Sequence, residues 1–436
     1  MPVGLLEVVG TIDVGQFWPE GRSDADTTKV VVNVAPDAIR FRKNDQVPFQ
    51  PTHVFEGAKV KGRTATAPIK NGKLTIRLQG IDAPELHYQP SPLSAAEKKG
   101  LSDAKRQAYH EVTHPYRQFL GATTSKALHD FLSSAGGPTL ACRVFTHVDA
   151  PNEVFDTYGR LVGDIEITVA GKKIDINHWL VEQGFAYPTF YSSMNDDEIK
   201  AFLALAKPAR AQKLPVWKHL AKTIPAFDFD LREPRKNETD VLATDKGPVI
   251  LPKLYRRYTN WSARKKAKVT SQTFQKFLGE GSGGKPDTCY EIDDFLTNGV
   301  HSATPRNFAD FVEGGKTIKF QPEGLVFAEA LSTPVRTVGK VIKSFEGGAD
   351  RGRWSAPTLF PQSCKTCDSA RATEPPSRQP TGLLSAKPRR TRISDKAPIA
   401  RPCMMVIRSL LRSTRAFFSS PNASAAAAMP VAASSG

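Results

Sequence analysis

The sequence predicts an α+β fold: an OB-type five-stranded barrel with packed helices, followed by an unassigned α+β region and a disordered tail. Strand-like runs of apolar residues, separated by turn signals, predict the barrel. Their connections favour mostly antiparallel pairing, and helical segments lie between and after them, which is typical of such a barrel. The runs are Gly4 to Val14, Thr28 to Val34, Leu74 to Ile81, Leu140 to His147 and Leu161 to Val169.

Apolar residues at helical spacing predict helices packed around the barrel. One begins at Pro115 and ends at Gly136, because proline is favoured at the start of a helix and glycine just beyond its end. Two more are predicted over Asp175 to Tyr187 and over Asn195 to Ala206. We expect Trp217, which follows them, to seal the last helix against the barrel as a structural residue.

Residues 35–72 are longer and more polar than a hairpin connection requires. Their prolines exclude a regular central strand, because proline cannot donate a hydrogen bond to the ladder. We expect either an inserted loop or an additional small hairpin. The prolines are Pro36, Pro48, Pro51 and Pro68.

Composition limits the class of protein. A hydrophobic content of 40% is enough for buried cores, and five cysteines form an odd, sparse set that argues against a disulfide-stapled secreted scaffold. The first residues contain neither a basic stretch nor a long apolar run, so the sequence predicts no signal peptide and no membrane span. A cytoplasmic protein without stable membrane association is the expectation.

The net charge of +16 favours a polyanionic partner, because neutralising phosphates supplies most non-specific affinity for nucleic acid. Much of this charge lies at the end of the chain, where residues 346–436 contain 14 basic and 5 acidic side chains. The remaining residues are still basic. A merely basic protein without such a partner is the alternative.

Shifts in composition divide the chain into three parts. We predict a first domain over residues 1–222, an unassigned region over 223–345 and a basic disordered tail over 346–436. In the middle region, residues 254–268 interleave aromatic and basic side chains. This pattern suits either base stacking with phosphate neutralisation or an amphipathic element with an aromatic inner face. The tail contains a lone Cys-x-x-Cys motif, which without a second pair does not predict a zinc site.

One short stretch places an arginine and two carboxylates at fixed offsets. Arg77 lies on a predicted strand that Pro84 stops, and Asp82 and Glu85 lie at the end of that strand and in the turn that follows. A cation and two anions then converge on one mouth of the barrel. This arrangement suits a metal ion and a phosphate held together.

Several ordered blocks resemble the staphylococcal thermonuclease family. Residues 77–85, Arg-Leu-Gln-Gly-Ile-Asp-Ala-Pro-Glu, resemble its first signature, and residues 156–160, Asp-Thr-Tyr-Gly-Arg, resemble the turn that carries its second catalytic arginine. Residues 23–30 are similar to the segment whose second aspartate binds calcium. The helix at 176–187 and the segment 214–217 also match, so the resemblance covers about residues 3 to 220.

The resemblance implies that Arg77, Glu85 and Arg160 are the catalytic residues. Hydrolysis of a phosphodiester develops negative charge on the non-bridging oxygens, and fixed cations stabilise that charge. Arginine suits this role because its planar guanidinium grips phosphate through two hydrogen bonds and keeps its proton. Glu85 is then the candidate general base, or the group that positions the attacking water.

Calcium is the implied cofactor. The carboxylates of Asp26 and Asp82 are hard oxygen donors, and with a backbone carbonyl near Ala83 and with water they suit calcium rather than zinc. Tyr158 and Tyr191 are implied as weak substrate contacts. The chain departs from the family pattern at residue 157, where threonine replaces the lysine of the family.

Two functions are compatible with these residues. The first is a metal-dependent nuclease, that is, a hydrolase that uses calcium to cleave phosphodiester bonds of DNA. RNA is a further substrate, the sequence specificity is low, and the products carry 3'-phosphate ends. The second is a nucleic-acid-binding OB-fold protein without catalysis, since such barrels commonly bind single strands. Retention of both arginines and the glutamate favours the first.

Overall fold

The structure is a computed structural model, and it describes residues 4–32, 39–42, 59–60, 63–64, 69–148, 156, 160–224, 231–281 and 285–328. These residues all belong to the first of two units, Met1–Gln362. The second unit, Ser363–Gly436, lies outside the described residues, and with it most of the predicted tail. Within the described ranges, no helix combines the length and the apolar character that crossing a membrane requires.

The described elements follow one another in chain order. The strands are β1 (Gly4–Asp13), β2 (Thr27–Val32), β3 (Ile39–Arg42), β4 (Lys59–Val60), β5 (Arg63–Thr64), β6 (Ile69–Lys70), β7 (Lys73–Leu78), β8 (Ile81–Asp82), β9 (Thr139–Val148), β10 (Leu161–Val169), β11 (Lys172–Asp175), β12 (Tyr187–Pro188), β13 (Phe190–Tyr191), β14 (Thr288–Glu291), β15 (Arg306–Asn307), β16 (Val312–Glu313), β17 (Thr317–Ile318) and β18 (Leu325–Phe327). The helices are α1 (Ala95–Lys99), α2 (Asp103–Val112), α3 (Gly121–Gly136), α4 (Ile176–Glu182), α5 (Asp196–Ala211), α6 (Pro215–Lys218), α7 (Val241–Thr244), α8 (Pro252–Lys266), α9 (Phe274–Glu280) and α10 (Ile292–Asn298).

Five strands close into a barrel. β1 pairs antiparallel with both β2 and β9, β2 pairs antiparallel with β7, and β9 pairs antiparallel with β10. The ring closes because β10 also pairs with β7, in parallel, with Leu161 opposite Ile76. Each predicted strand corresponds to one of these five strands. The structure therefore confirms the closed barrel within an α+β fold.

Alternation along the strands fills the inside of the barrel. Val8 and Ile12 of β1, Leu74 and Ile76 of β7, and Ile165 of β10 are each 0% or 1% exposed, because alternate side chains of a strand point to the same face. Fully burying an aliphatic side chain of this size contributes about 1.5–3 kcal/mol. The inside of the barrel is thus packed, and functional groups lie on its outer face or at its rim.

Part of the insertion at residues 35–72 is described. β3 pairs antiparallel with β1, and β4 and β5 pair with each other in a small antiparallel hairpin. An additional small hairpin was one of the two expectations for this segment.

Helix α3 begins later than the sequence predicts. The proline signal placed its start at Pro115, but the helix covers Gly121–Gly136. Tyr116 instead lies in an extended segment that bridges to Tyr88, and the N–H of Arg117 donates to the carbonyl oxygen of Leu231 at 2.8 Å. These long-range hydrogen bonds outweigh the local signal for a helix start.

The other two predicted helices are present with shifted ends. Helix α4 stops at Glu182, and Tyr187 belongs to β12 instead, while α5 continues past its predicted end to Ala211. Trp217 is 7% exposed, and its ring lies edge-on to the ring of Tyr187 at 5.2 Å. This packing agrees with the structural role expected for Trp217.

Three carboxyl groups gather where α4 and α5 pack near β10. Asp175 caps α4 by accepting the N–H of His178 at 3.0 Å, and Asp164 accepts a hydrogen bond from the buried amide of Asn177. Glu198 lies in the first turn of α5. Burial raises the pKa of Glu198 to about 8, and the charge of Asp175 adds to this effect. Burial also raises the pKa of Asp164 well above its ordinary value.

The described residues beyond 222, which extend to residue 328, pack on the core of the barrel domain. β18 pairs in parallel with β13, so that Phe190 lies opposite Val326, and all of β18 is buried. Buried residues from the barrel strands and from β18 form one continuous hydrophobic cluster. The domain boundary at residue 222 stays a prediction, and the packing continues across it.

Residues 254–268 follow the amphipathic alternative. They lie mostly in α8, where Leu254 and Tyr255 are fully buried. Tyr258 and Trp261 are half-buried and pack against the ring of Phe274 in α9 at 5.1 Å and 5.5 Å between centroids. The aromatic residues therefore form the inner face of a helix, and base stacking is not needed to explain them.

Candidate functional site

The turn between β7 and β8 brings the predicted cluster to one end of the barrel. Gly80 has a φ of +72°, a conformation that favours glycine. A Cβ at this position would lie 2.4 Å from a ring carbon of Phe202. Gly80 therefore permits the tight turn that places Arg77 near the end of one strand and Asp82 in the short strand that follows.

Arg77 contacts two of the predicted metal ligands at once. Its Nη1 pairs with Asp26, and its Nη2 lies 2.7 Å from Asp82 Oδ1. The same Nη2 donates to the carbonyl oxygen of Ile81 at 3.0 Å. Since Arg77, Asp26 and Asp82 are all buried, the two carboxylates face one guanidinium in a low-dielectric environment, where charge pairing is strong.

The donor chemistry of Asp26 and Asp82 fits a hard divalent cation, because calcium prefers carboxylate oxygens. In the structure these oxygens accept hydrogen bonds, including one from the Ala83 N–H to Asp26 at 3.0 Å and one from the Lys253 N–H to Asp82 at 3.0 Å. Among the described residues, no three His, Cys, Asp or Glu side chains gather into a metal site. An ion held here would therefore depend on two carboxylates, with backbone and water oxygens completing its shell.

Arg160 is linked to the same network. Its Nε donates to Asp156 Oδ2 at 2.6 Å, and its Nη1 donates to the hydroxyl of Thr27 at 3.0 Å. That hydroxyl donates in turn to Asp26 Oδ1 at 3.1 Å. A single side chain, that of Thr27, therefore links Arg160, the second predicted arginine, to the predicted metal ligand Asp26.

Arg160 also lines a cavity of about 530 Å³ on this side of the barrel. Three further basic residues, Arg22, Lys29 and Lys73, line the same cavity, together with two acidic residues, Asp13 and Asp24. A cleft lined mainly by positive charge concentrates anions. Its chemistry suits a polyanion such as a nucleic-acid backbone.

Glu85 lies beside these carboxylates and is almost fully covered. It is 7% exposed, and its carbonyl oxygen accepts the N–H of Gln118 at 2.7 Å. Gly121 packs so closely that a Cβ there would lie 2.3 Å from the same carbonyl oxygen. The backbone carbonyl of Glu85 is therefore held tightly by the segment from Gln118 to Gly121.

Arg256 is a site residue that sequence reasoning missed. Its Nη1 and Nη2 lie 3.2 Å from Oδ1 and Oδ2 of Asp82, and its Nη1 also pairs with Glu85. It comes from α8, far along the chain, and no spacing in the sequence connects it with Asp82. The only signal was the interleaving of basic and aromatic residues in 254–268.

Burial and mutual repulsion perturb the carboxylates of the site. Burial raises the pKa of Asp24 to about 7, and the charge of Asp26 adds to the effect. Burial also raises the pKa of Glu85 to about 8 against the opposing charge of Arg256. For Asp26 burial acts in the same direction, but Arg77 and the Ala83 N–H outweigh it and hold the pKa below its ordinary value.

Of the two predicted substrate contacts, Tyr191 is among the described residues and Tyr158 is not. Tyr191 is half-buried in β13, with Lys253 Nζ 5.5 Å from the centre of its ring and the ring of Phe327 6.3 Å away. Its neighbours therefore belong to the later part of the chain. A role in substrate contact stays a prediction.

Comparison with known proteins agrees with this geometry. Residues 75–219 match the protein family described as staphylococcal nuclease homologue, and the curated proteins contain no match to this chain. The matched residues include Arg77, Glu85 and Arg160, whereas Asp26 precedes them and Arg256 follows them. A nuclease domain of this kind implies nucleic-acid substrates. The barrel, the site geometry and the match together show that residues 75–219 are similar to the family described as staphylococcal nuclease homologue.

Proposed function

We propose that this chain is a calcium-dependent nuclease that hydrolyses phosphodiester bonds of DNA and RNA with little sequence specificity and leaves 3'-phosphate ends. One observation carries the proposal. Arg77 and Arg160 are joined through the carboxylate of Asp26 and the hydroxyl of Thr27 into one network beside a cavity lined by basic side chains. A substrate phosphate in that cavity would meet fixed positive charge.

Arg160 is proposed to bind the substrate phosphate and to stabilise its developing charge, while Arg77 is proposed to supply further positive charge from the buried side of the site. Arg160 borders the cavity and is held by Asp156, so its guanidinium is oriented before substrate arrives. Preorganised donors of this kind stabilise a transition state because they need no rearrangement during the reaction. Arg77 is buried behind them and holds the carboxylates in position.

Glu85 and the two aspartates complete the proposed set. Glu85 is proposed to orient or deprotonate the attacking water. Asp26 and Asp82 are proposed to hold calcium, which when bound would offset charge on the phosphate and orient water. Their present hydrogen-bond donors must give way for an ion to reach these oxygens.

A digestion experiment tests the proposal. The full chain is incubated with plasmid, single-stranded DNA and RNA in calcium, in magnesium and in chelator, and the product ends are analysed. We expect cleavage in calcium only, with 3'-phosphate ends. The variant Arg160→Ala should keep substrate binding and lose about two to three decades of turnover.

The matched control is Arg106→Ala, which removes an arginine that is paired with Asp103 at the surface. It should leave turnover unchanged. Full activity of Arg160→Ala, or cleavage that chelator does not affect, would contradict the proposed mechanism.

Nucleic-acid binding without cleavage is the second candidate. It is favoured by the pairing of Arg256 with Glu85, which together with burial leaves the candidate base largely inaccessible. This candidate predicts salt-dependent retardation of DNA in a gel, with intact substrate under all three ionic conditions. The same digestion experiment therefore separates the two functions.

A further inference from the structure

Arg256 lies where the carboxylates of the site would otherwise meet a cation. Its guanidinium takes both oxygens of Asp82 at 3.2 Å and pairs with Glu85. The side chain of Asp82 is 0% exposed and that of Glu85 is 9% exposed. With Arg256 in this position, a second cation at Asp82 would face like-charge repulsion and would find its oxygen ligands already engaged.

Helix α8, which carries Arg256, is anchored in the core. Leu254 and Tyr255 are fully buried, and the Tyr255 hydroxyl donates to the carbonyl oxygen of Arg117 at 3.0 Å. Arg257, the residue after Arg256, binds Asp287 through two hydrogen bonds of 2.6 Å and 2.8 Å. The backbone of α8 therefore cannot swing away from the site without loss of core packing.

The side chain of Arg256 is less confined than its helix. It is 25% exposed, in contrast to the carboxylates that it binds. An arginine side chain has several rotatable bonds between its backbone and its charge, so the guanidinium can turn toward solvent while α8 stays in place. When the side chain turns away, Asp82 Oδ1 keeps its contact with Arg77 and Oδ2 keeps its hydrogen bond from the Lys253 N–H, but each oxygen loses the Arg256 donor and regains a lone pair for an ion.

We propose that the guanidinium of Arg256 and a divalent cation are alternative partners of the Asp82 and Glu85 carboxylates. Arg256 then lowers the affinity of the site for the ion, and the region after residue 222 sets the ion concentration at which the site is occupied. The inference rests on the proposed function in that it concerns the same carboxylates. It concerns binding of the ion and does not require hydrolysis.

Calorimetric titration of the full chain with calcium chloride tests the inference. Arg256→Gln should bind calcium about ten- to a hundredfold more tightly than the unchanged chain, because a hydrogen bond to a charged group contributes about that factor. The matched control is Arg257→Gln. It removes the same charge one residue later, but native Arg257 contacts Asp287 and not the site carboxylates. Its calcium affinity should stay close to that of the unchanged chain.

Two further variants make the result specific. Adding Asp82→Asn to Arg256→Gln should abolish the gain in affinity. Arg256→Lys keeps the charge but loses the planar fork, so it should bind calcium with intermediate affinity, and it serves in place of the glutamine variant if that one does not fold.

The inference is overturned if Arg256→Gln and the unchanged chain bind calcium equally, if neither binds it, or if Arg257→Gln gains as much. Its failure is distinguishable from failure of the proposed function. A chain that cleaves nothing but shows the affinity gain retains the inference, whereas a calcium-dependent nuclease without the gain retains only the function.

Discussion

Glu198→Gln should make the protein less sensitive to alkaline pH. Glu198 is half-buried, but its carboxyl oxygens are covered and lie near Asp175, and its pKa is raised from 4.5 to about 8 in the folded chain. A carboxyl group with a raised folded pKa contributes stability below its unfolded pKa and loses it as the pH rises through its folded pKa. The window for this loss is therefore pH 4.5 to about 8.

The size of the effect follows from the same two values. Holding Glu198 in its folded environment costs about 1 kcal/mol at pH 5 and about 4 kcal/mol at pH 8, relative to the unfolded chain. Glutamine has nearly the same shape and does not titrate. We therefore expect the free energy of unfolding of Glu198→Gln to gain about 3 kcal/mol over the unchanged chain between pH 5 and pH 8.

Urea unfolding followed by tryptophan fluorescence at pH 5 and pH 8 measures this difference. Glu182→Gln is the matched control, since it makes the same chemical change at an exposed position on α4. It should leave the pH dependence of stability unchanged. If the curves of Glu198→Gln and Glu182→Gln are parallel across this range, Glu198 is not held protonated by burial and the reasoning is refuted.

Two further predictions concern the framework of the site. Asp245→Asn should lower the free energy of unfolding by about 3–5 kcal/mol because it leaves the buried charge of Arg117 unpaired. Its control is Asp103→Asn, which breaks an exposed ion pair and should lower the free energy of unfolding by less than about 1 kcal/mol. Equal losses of the two variants in urea unfolding would contradict this prediction. Gly121→Ala should push the backbone of Glu85 aside and reduce turnover by about tenfold or more. The control for turnover is Gly100→Ala, where a Cβ meets no atom closer than 3.9 Å, and unchanged turnover of Gly121→Ala would count against tight placement of Glu85.

The barrel could be predicted from the sequence because its information is local. Alternating apolar residues specify each strand, and the same pattern specifies which face is buried. The start of α3 could not be predicted in this way, because hydrogen bonds between Tyr116 and Tyr88, and from the Arg117 N–H to the Leu231 carbonyl oxygen, hold the preceding residues extended. Such partners are distant in sequence and leave no signal near Pro115.

The candidate site likewise contains residues that local sequence predicts and residues that only long-range packing brings in. Arg77 and Asp82 lie on one strand and its turn, so their spacing predicts that they meet, and the structure shows that they do. Arg256 reaches them only through the packing of α8 against the core. Nothing in the local sequence around Arg256 specifies Asp82 as its partner, so only the fold reveals the contact.

The pairing of β13 with β18 has a consequence for synthesis of the chain. The ribosome releases Phe190 well before Val326, its partner across the two strands, and domains begin to fold as they emerge. Until the later strand is made, the edge of β13 offers unpaired amide and carbonyl groups to any nearby polypeptide. Premature termination between these two strands should therefore yield fragments that aggregate or are degraded.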